Sequence, residues 1–347
     1  MNSSTITGYA ALAAGRPLEP FTYALPKLGD HEVRVAITHC GLCFTDIQAI
    51  DDFYHITKFP FVPGHEIVGY VSEVGKTVSE LKEGDRVGIG WQGRACMKCE
   101  WCLRGEVNMC QDIVRSASWT PYGGFSSSIA VDAGFAYRLP DGLPSEVAAV
   151  LMCAGITVFA PLRLYSSTPS LKIGIIGVGG LGHLAIQFAK AFGYEVTALS
   201  SSPGKKEEAL AMGADQFIVA GDEDAMRKVE YYFDLLLCTA HGGIDWESML
   251  EILRKKGKLV LVGFPEMTLG PINLVAHQLS ICGSFLGTPA GMREMLSFAQ
   301  THGIQPMIEL MPMVQINRAI ERLKENKARY RIVLVNDPFS VRVQEAC

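Results

Sequence analysis

The chain is poor in charge, has no surplus of basic residues and lacks an apolar run long enough to span a bilayer. Only 19% of its 347 residues are charged, against about 25% in an average soluble domain, while 48% are hydrophobic. That balance excludes disorder, which needs low hydrophobicity and high net charge. Lys and Arg number 31 against 36 Asp and Glu, a net −5. Without a basic domain or a Lys/Arg stripe, nucleic acid is not an expected partner. Met1-Asn2-Ser3-Ser4-Thr5 has neither the basic segment nor the apolar core of a secretory signal. The uncharged stretch from Val147 to Leu162 is shorter than the roughly 20 residues a spanning helix needs, and Gly155 and Pro161 interrupt it. It reads as a buried helix and its following turn, so no membrane association is expected and a cytoplasmic location is.

What is present points to two domains, at roughly 150 residues each. The first 150 residues are strand-rich and barrel-like. Glu32–Ile37 and Ile67–Val71 carry β-branched residues between Gly, Pro and Asp punctuation, and Glu83–Val87 is a turn feeding another strand. From about residue 155 strands and helices alternate. Strands are expected at Lys172–Ile176, Glu195–Leu199, Gln216–Ala220, Phe233–Cys238, Lys258–Gly263 and Gln278–Gly283. Helices are expected at Leu181–Phe192, Lys205–Met212 and Trp246–Leu253. This rhythm is that of an α/β parallel sheet covered on both faces. The tail offers helices at Gly291–Gln300 and Asn317–Asn326 and a strand at Arg331–Val335 that can rejoin the first domain.

Three groups of residues carry chemistry. Gly177-Val178-Gly179-Gly180-Leu181-Gly182 lies between a strand and a helix. Its glycines allow a tight turn, close approach to a pyrophosphate and close helix–strand packing, and the helix N-terminus offers free N–H groups to the anion. An acidic residue about 20 positions on would select NAD. The chain instead has Ser200-Ser201-Ser202-Pro203-Gly204-Lys205-Lys206, hydroxyls and cations that suit a 2′-phosphate and point to NADP, the alternative being an ordinary solvated loop. Cys96-x-x-Cys99-x-x-Cys102-(x7)-Cys110 has the spacing of one tetrahedral thiolate site. Four thiolates leave no open position, so a zinc there is structural. An iron–sulfur cluster is the less favoured alternative, since the fourth cysteine is distant and no Pro follows it. The third group is dispersed: Cys43, Thr45 and Asp46, then Gly64-His65-Glu66, then Cys153. Spacing alone does not show that these residues meet.

In their order along the chain, Cys43-x-Thr45-Asp46, Pro63-Gly64-His65-Glu66-x-x-Gly69, the four-cysteine lobe and the glycine cluster resemble the zinc-dependent medium-chain alcohol dehydrogenases. Ser200–Ser202 with Lys205 and Lys206, and Arg329-Tyr330-Arg331, look most like the cinnamyl alcohol dehydrogenase branch and its bacterial NADPH-dependent aldehyde reductases. The resemblance implies a GroES-like catalytic domain from residues 1–153 and 291–347, with a zinc lobe at about 91–115. A Rossmann NADP-binding domain would occupy 154–290, with the active site in the cleft between the two. It further implies two zinc ions per subunit. Cys43, His65 and Cys153 would hold the catalytic one, with Glu66 able to enter its shell and Asp46 fixing the His65 tautomer. Zinc would polarise an aldehyde oxygen while NADPH gives hydride, and Thr45 would hydrogen-bond the substrate oxygen. Cys153, where polyol-dehydrogenase relatives often have Glu, leans toward simple alcohols and aldehydes.

Two positions depart from the family pattern. Phe44 stands where relatives commonly have His or Arg near the pyrophosphate, which leaves phosphate contacts to residues such as Arg331. Gln48 stands where many have a proton-relay His, so proton release must run through water, the cofactor ribose or a group such as His55. Trp91, Trp119, Tyr54 and Phe285 are either the wall of an apolar substrate pocket or core. A homodimer is expected, with Leu279–Leu286 as the apolar stretch joining two sheets. The competing functions are a polyol or NAD-dependent zinc dehydrogenase and a non-catalytic relative, the latter disfavoured by the complete ligand set.

Overall fold

A computed structural model describes residues 5–115, 122–165 and 170–336. The chain divides into two compact units, one of residues 1–153, 287–300 and 306–347, the other of 154–286 and 301–305. In the first, a seven-stranded sheet runs in the order Ile308–Pro312, Arg331–Val335, Glu32–Leu42, Glu66–Val74, Arg86–Ile89, Ala136–Arg138, and Ser128–Asp132 also pairs with Glu32–Leu42. Val33, Val35, Ile37 and Cys40 bury one face of the central strand with Ile67, Val71, Val87 and Ile89. Each such side chain contributes on the order of 1.5–3 kcal/mol. This central strand is five residues longer than local propensity suggests. Ile332 pairs with Leu42 and Val335 with His39, so the C-terminal strand holds Thr38–Leu42 extended through Gly41, where side-chain preference alone would stop.

The second unit is a six-stranded parallel sheet in the order Gln216–Val219, Glu195–Ser200, Lys172–Ile176, Phe233–Cys238, Leu253–Leu261, Ser280–Gly283. Counted from Lys172–Ile176 this is 3-2-1-4-5-6, the dinucleotide-binding order, which places a ligand site where the order reverses. Its inner strands read as unbroken apolar runs because helices cover both faces; Ile173, Ile175, Leu236 and Leu237 are fully buried. The helix Trp246–Glu251 ends two residues earlier than expected, and the next strand already begins at Leu253. There Leu253 pairs with Phe233 ahead of a register shift, a tertiary contact that the charged run Arg254-Lys255-Lys256 gives no hint of.

The apolar stretch near Val147 is helical from Ser145 to Val150 and from Ile156 to Leu164, with a π-helical turn at Leu151–Gly155 between them. By length and composition these 20 residues could cross a membrane, but most of the stretch is buried inside the protein.

Candidate active site

The strand Glu32–Leu42 delivers Cys43 to the start of the helix Phe44–Ile50, a short helix that the sequence pattern did not reveal. Asp46, in the first turn of that helix and fully buried, organises the site. Its Oδ2 accepts the Cys43 backbone N–H at 2.9 Å. Its Oδ1 accepts the Gly64 N–H at 3.1 Å and lies 2.8 Å from His65 Nδ1. An ionised carboxylate only accepts, so the proton belongs on Nδ1 and the Nε2 lone pair is left to bind elsewhere. Nε2 lies 3.3 Å from Cys153 Sγ. One donor atom each from Cys43, His65, Glu66 and Cys153 falls within 4.8 Å of the others, so the fold unites the dispersed residues.

Strand pairing explains how. Gly41 is the partner of Glu66, and Leu42 that of Ile332, so Glu66 and Arg331 flank the strand end that carries Cys43. Arg331 Nη2 donates to Glu66 Oε1, while Glu66 Oε2 and Arg331 Nε are buried with no hydrogen-bond partner among the described residues. Burial pushes the Glu66 carboxyl up to about 7, against the pull of Arg331. A buried carboxylate oxygen, unpaired among the described residues, beside two thiols and an imidazole lone pair is a donor set that fits a zinc ion. Burial opposes protonation of His65, but Asp46 outweighs it and holds the imidazole well above its usual range; the same carboxylate makes Nε2 a stronger ligand. Chiefly a hydrogen bond from Cys153, with help from His65, holds the Cys43 thiol well below its usual range.

Glycine at 41 has a role that the motif reading passed over. A Cβ there would stand 2.0 Å from Glu66 Oε2, so only glycine lets that side chain lie across the strand. Gly64, at φ +101°, turns the chain so that its own N–H and the next imidazole both face Asp46. An isolated glycine inside a strand pattern or beside a candidate ligand was the available signal.

Cys96, Cys99, Cys102 and Cys110 form the other thiol cluster, again with all four sulfurs within 4.8 Å. The Cys96 N–H points to Cys110 Sγ at 3.2 Å and the Cys99 N–H to Cys96 Sγ at 3.4 Å. Backbone N–H groups of Cys102 and Gln111 lower the Cys99 thiol to about 6. Zinc–sulfur bonds of about 2.3 Å imply tetrahedral sulfur separations of about 3.8 Å, and Cys96 Sγ and Cys102 Sγ lie 4.0 Å apart. The lobe is sized for one ion rather than a cluster.

In the parallel-sheet unit, Gly177 turns at φ +91° directly after the first strand. A Cβ on Gly182 would meet the Gly177 carbonyl oxygen at 1.9 Å, whereas one on Gly179 would face open space. The loop is thus closed against the helix Gly182–Ala191 at one glycine and open to a ligand at another. Ser200 is buried and accepts the Ser202 N–H at 3.2 Å; Ser201, Ser202 and Lys206 are exposed. Lys205 Nζ donates to the Val178 carbonyl at 2.6 Å, which joins the serine–lysine loop to the glycine loop.

Thr45 is half-buried at the second helical position, after the partly exposed Phe44, with Gln48 one turn on. Arg331, expected at the cofactor phosphates, sits buried against Glu66. His55 is exposed on a left-handed turn. Trp91 is buried beneath the Arg115 guanidinium, 5.3 Å from the ring centre, Tyr54 is half-buried and Phe285 partly exposed. Trp119 lies outside the described residues.

Comparison with known proteins agrees with this architecture. Residues 29–141 match the alcohol dehydrogenase GroES-like domain and 180–301 the zinc-binding dehydrogenase family. An aldehyde reductase AdhA of Synechocystis sp. is 39% identical, with 95% of this chain and 98% of the relative covered. The chain belongs to the zinc-dependent medium-chain alcohol dehydrogenases. Among solved members of that family, a cinnamyl alcohol dehydrogenase of Sorghum bicolor superposes with a TM-score of 0.91 at 38% identity, covering 95% of this chain and 97% of the other. A Helicobacter pylori cinnamyl alcohol dehydrogenase complexed with NADP(H) gives 0.88 at 30% identity, over 95% and 98% of the two chains. This medium-chain dehydrogenase therefore shares its family's GroES-like and Rossmann architecture as well as its motifs.

Proposed function

We propose that the chain is an NADP(H)-dependent zinc alcohol dehydrogenase that works as an aldehyde reductase on aromatic or aliphatic primary aldehydes, cytoplasmic and holding two zinc ions per subunit. The observation that carries this reading is the convergence of Cys43, His65, Glu66 and Cys153 within 4.8 Å. Residues 1–153 and 291–347 serve as the catalytic part and 154–290 as the NADP-binding part. A zinc held by Cys43, His65 and Cys153 supplies Lewis acidity to a carbonyl oxygen. Asp46 keeps His65 in the ligating tautomer, and Arg331 holds Glu66 where it could enter the shell of a bound ion. Thr45, at the mouth of its helix, holds the substrate oxygen. Gln48 cannot carry a proton as a base near neutral pH, so a proton released through Thr45 would pass to water, the cofactor ribose or a group such as His55. Gly177–Gly182 seat the pyrophosphate, and Ser200–Ser202 with Lys205 and Lys206 hold the 2′-phosphate. The Helicobacter structure complexed with NADP(H) supports that cofactor choice.

The subunit forms a homodimer through the terminal strand Ser280–Gly283. Its outer edge ends the six-stranded sheet, and the neighbouring Phe264, Ile272 and Val275 are at least 75% exposed, which supports a partner on that side. The test of the enzymatic reading is NADPH oxidation at 340 nm with aldehydes from short aliphatic to cinnamyl, with NADH in parallel. Turnover with NADPH and little with NADH is expected. Preference for NADH overturns the serine–lysine assignment, and no turnover with either in protein holding two zinc ions overturns the reductase assignment.

A further inference from the structure

Cys153 sits where regular helix gives way. The π-helical turn Leu151–Gly155 holds it between two α-helical segments, and such turns are rare and concentrate at functional sites. A π turn alone does not decide where the thiol points; its surroundings do. Gly88, in the strand Arg86–Ile89, and Gly90 just beyond it both face Met152. A Cβ on Gly88 would stand 2.5 Å from Met152 Sδ, and one on Gly90 would stand 2.8 Å from the Met152 carbonyl oxygen. Neither glycine has a left-handed φ, so space and not backbone conformation demands them. Val150, Leu151 and Met152 are fully buried, which leaves the turn no room to retreat.

We infer that Gly90, seconded by Gly88, is a positioning residue that seats the Met152–Cys153 peptide and so aims the Cys153 thiol at the site, 3.3 Å from His65 Nε2. The inference rests on the zinc reading of that site. Restoring ordinary contact in a Gly90→Ala variant needs a shift of about 0.6 Å from the 2.8 Å approach, more than the roughly 0.2 Å that metal–ligand distances tolerate. The two glycines act through different atoms. Gly90 bears on the backbone carbonyl, which no side-chain change removes, and Gly88 bears on the flexible end of Met152.

The experiment uses the full-length zinc-loaded protein and reads zinc release to a chromophoric chelator, plus the thiolate-to-metal absorption of the cobalt-substituted form. Gly90→Ala is expected to release one of the two zinc ions about tenfold faster or more, to weaken the cobalt charge-transfer band and to leave the four-cysteine zinc at its wild-type rate. Cys153→Ser should do the same, and the two changes together should add little. Gly88→Ala should give a smaller acceleration that Met152→Ala relieves, whereas Met152→Ala should not relieve Gly90→Ala; the Gly88 pair decides the matter where Gly90→Ala does not fold. Wild-type release and cobalt spectrum in Gly90→Ala, or its rescue by Met152→Ala, overturns the inference while the zinc reading stands. A wild-type protein with a single zinc, indifferent to Cys153→Ser, overturns both.

Discussion

Replacing Asp46 by Asn tests the centre of the site with a change of one atom. The carboxylate receives three donors: the Cys43 N–H at 2.9 Å, the Gly64 N–H at 3.1 Å and His65 Nδ1 at 2.8 Å. Asn offers one acceptor oxygen and one NH2 group. With oxygen toward Gly64 and His65, the amide N–H groups confront the Cys43 N–H and the helix Phe44–Ile50 loses its cap. With the amide flipped, His65 must turn its own lone pair toward the NH2, and Nε2 takes the proton and cannot bind a metal. Either way at least one hydrogen bond to a charged group, worth about 1.5–3 kcal/mol, is lost and a donor is left buried against a donor. The expected cost is about 2–4 kcal/mol of folding free energy and about 10–100-fold in affinity at the Cys43–His65–Cys153 site. Urea unfolding measures the first, and chelator competition, resolving two zinc sites per chain, measures the second. The four-cysteine site should be unaffected. A variant that keeps both zinc ions at wild-type affinity and unfolds at the wild-type midpoint would refute the assignment of Asp46 as organiser.

Three further outcomes follow from the geometry. Gly182→Ala drives a Cβ to 1.9 Å from the Gly177 carbonyl oxygen, so the glycine loop must move; a loss of about 1–3 kcal/mol and at least tenfold weaker NADPH binding by fluorescence titration are expected, with unchanged zinc content. Cys102→Ser, in the buried part of the lobe, should lower zinc from two ions to one per chain by elemental analysis and lower the urea midpoint. Asp215 is partly desolvated, which raises its pKa, but Lys190 and the Val196 N–H outweigh this and hold it below the usual carboxylate value. A depressed carboxylate stabilises above its unfolded pKa, near 3.9, and that stability fades as pH falls through the lower native value. Asp215→Asn should therefore cost stability in urea titrations at pH 7, and the difference from wild type should shrink toward pH 3.

The parts of this protein legible in its sequence are those whose chemistry is contiguous. Cys96, Cys99, Cys102 and Cys110 close a thiol cluster within one short lobe, and Gly177 to Gly182 turn a strand into a helix within six residues. In both, the spacing along the chain is already the spacing in space. The inner strands Lys172–Ile176 and Phe233–Cys238 were legible too, because burial on both faces makes them largely apolar. The helix Phe44–Ile50 was not, since seven residues hold too few turns to show a helical period.

What the tertiary structure alone decided is which distant groups meet. His65 and Cys153 are 88 positions apart, and Arg331 and Glu66 are 265 apart. Cys43, His65 and Glu66 were recognisable only as motifs, and nothing in their spacing requires that a C-terminal strand pair with Glu32–Leu42 and carry Arg331 to Glu66. Nor does it show that Gly41 leaves the room in which Glu66 lies, or that Gly88 and Gly90 leave the room in which Met152, next to Cys153, lies. Local preference fixes φ and ψ over a few residues, whereas strand register and close packing are set by the burial of whole sheets and helices, and only those place a thiol, an imidazole and a carboxylate around one point.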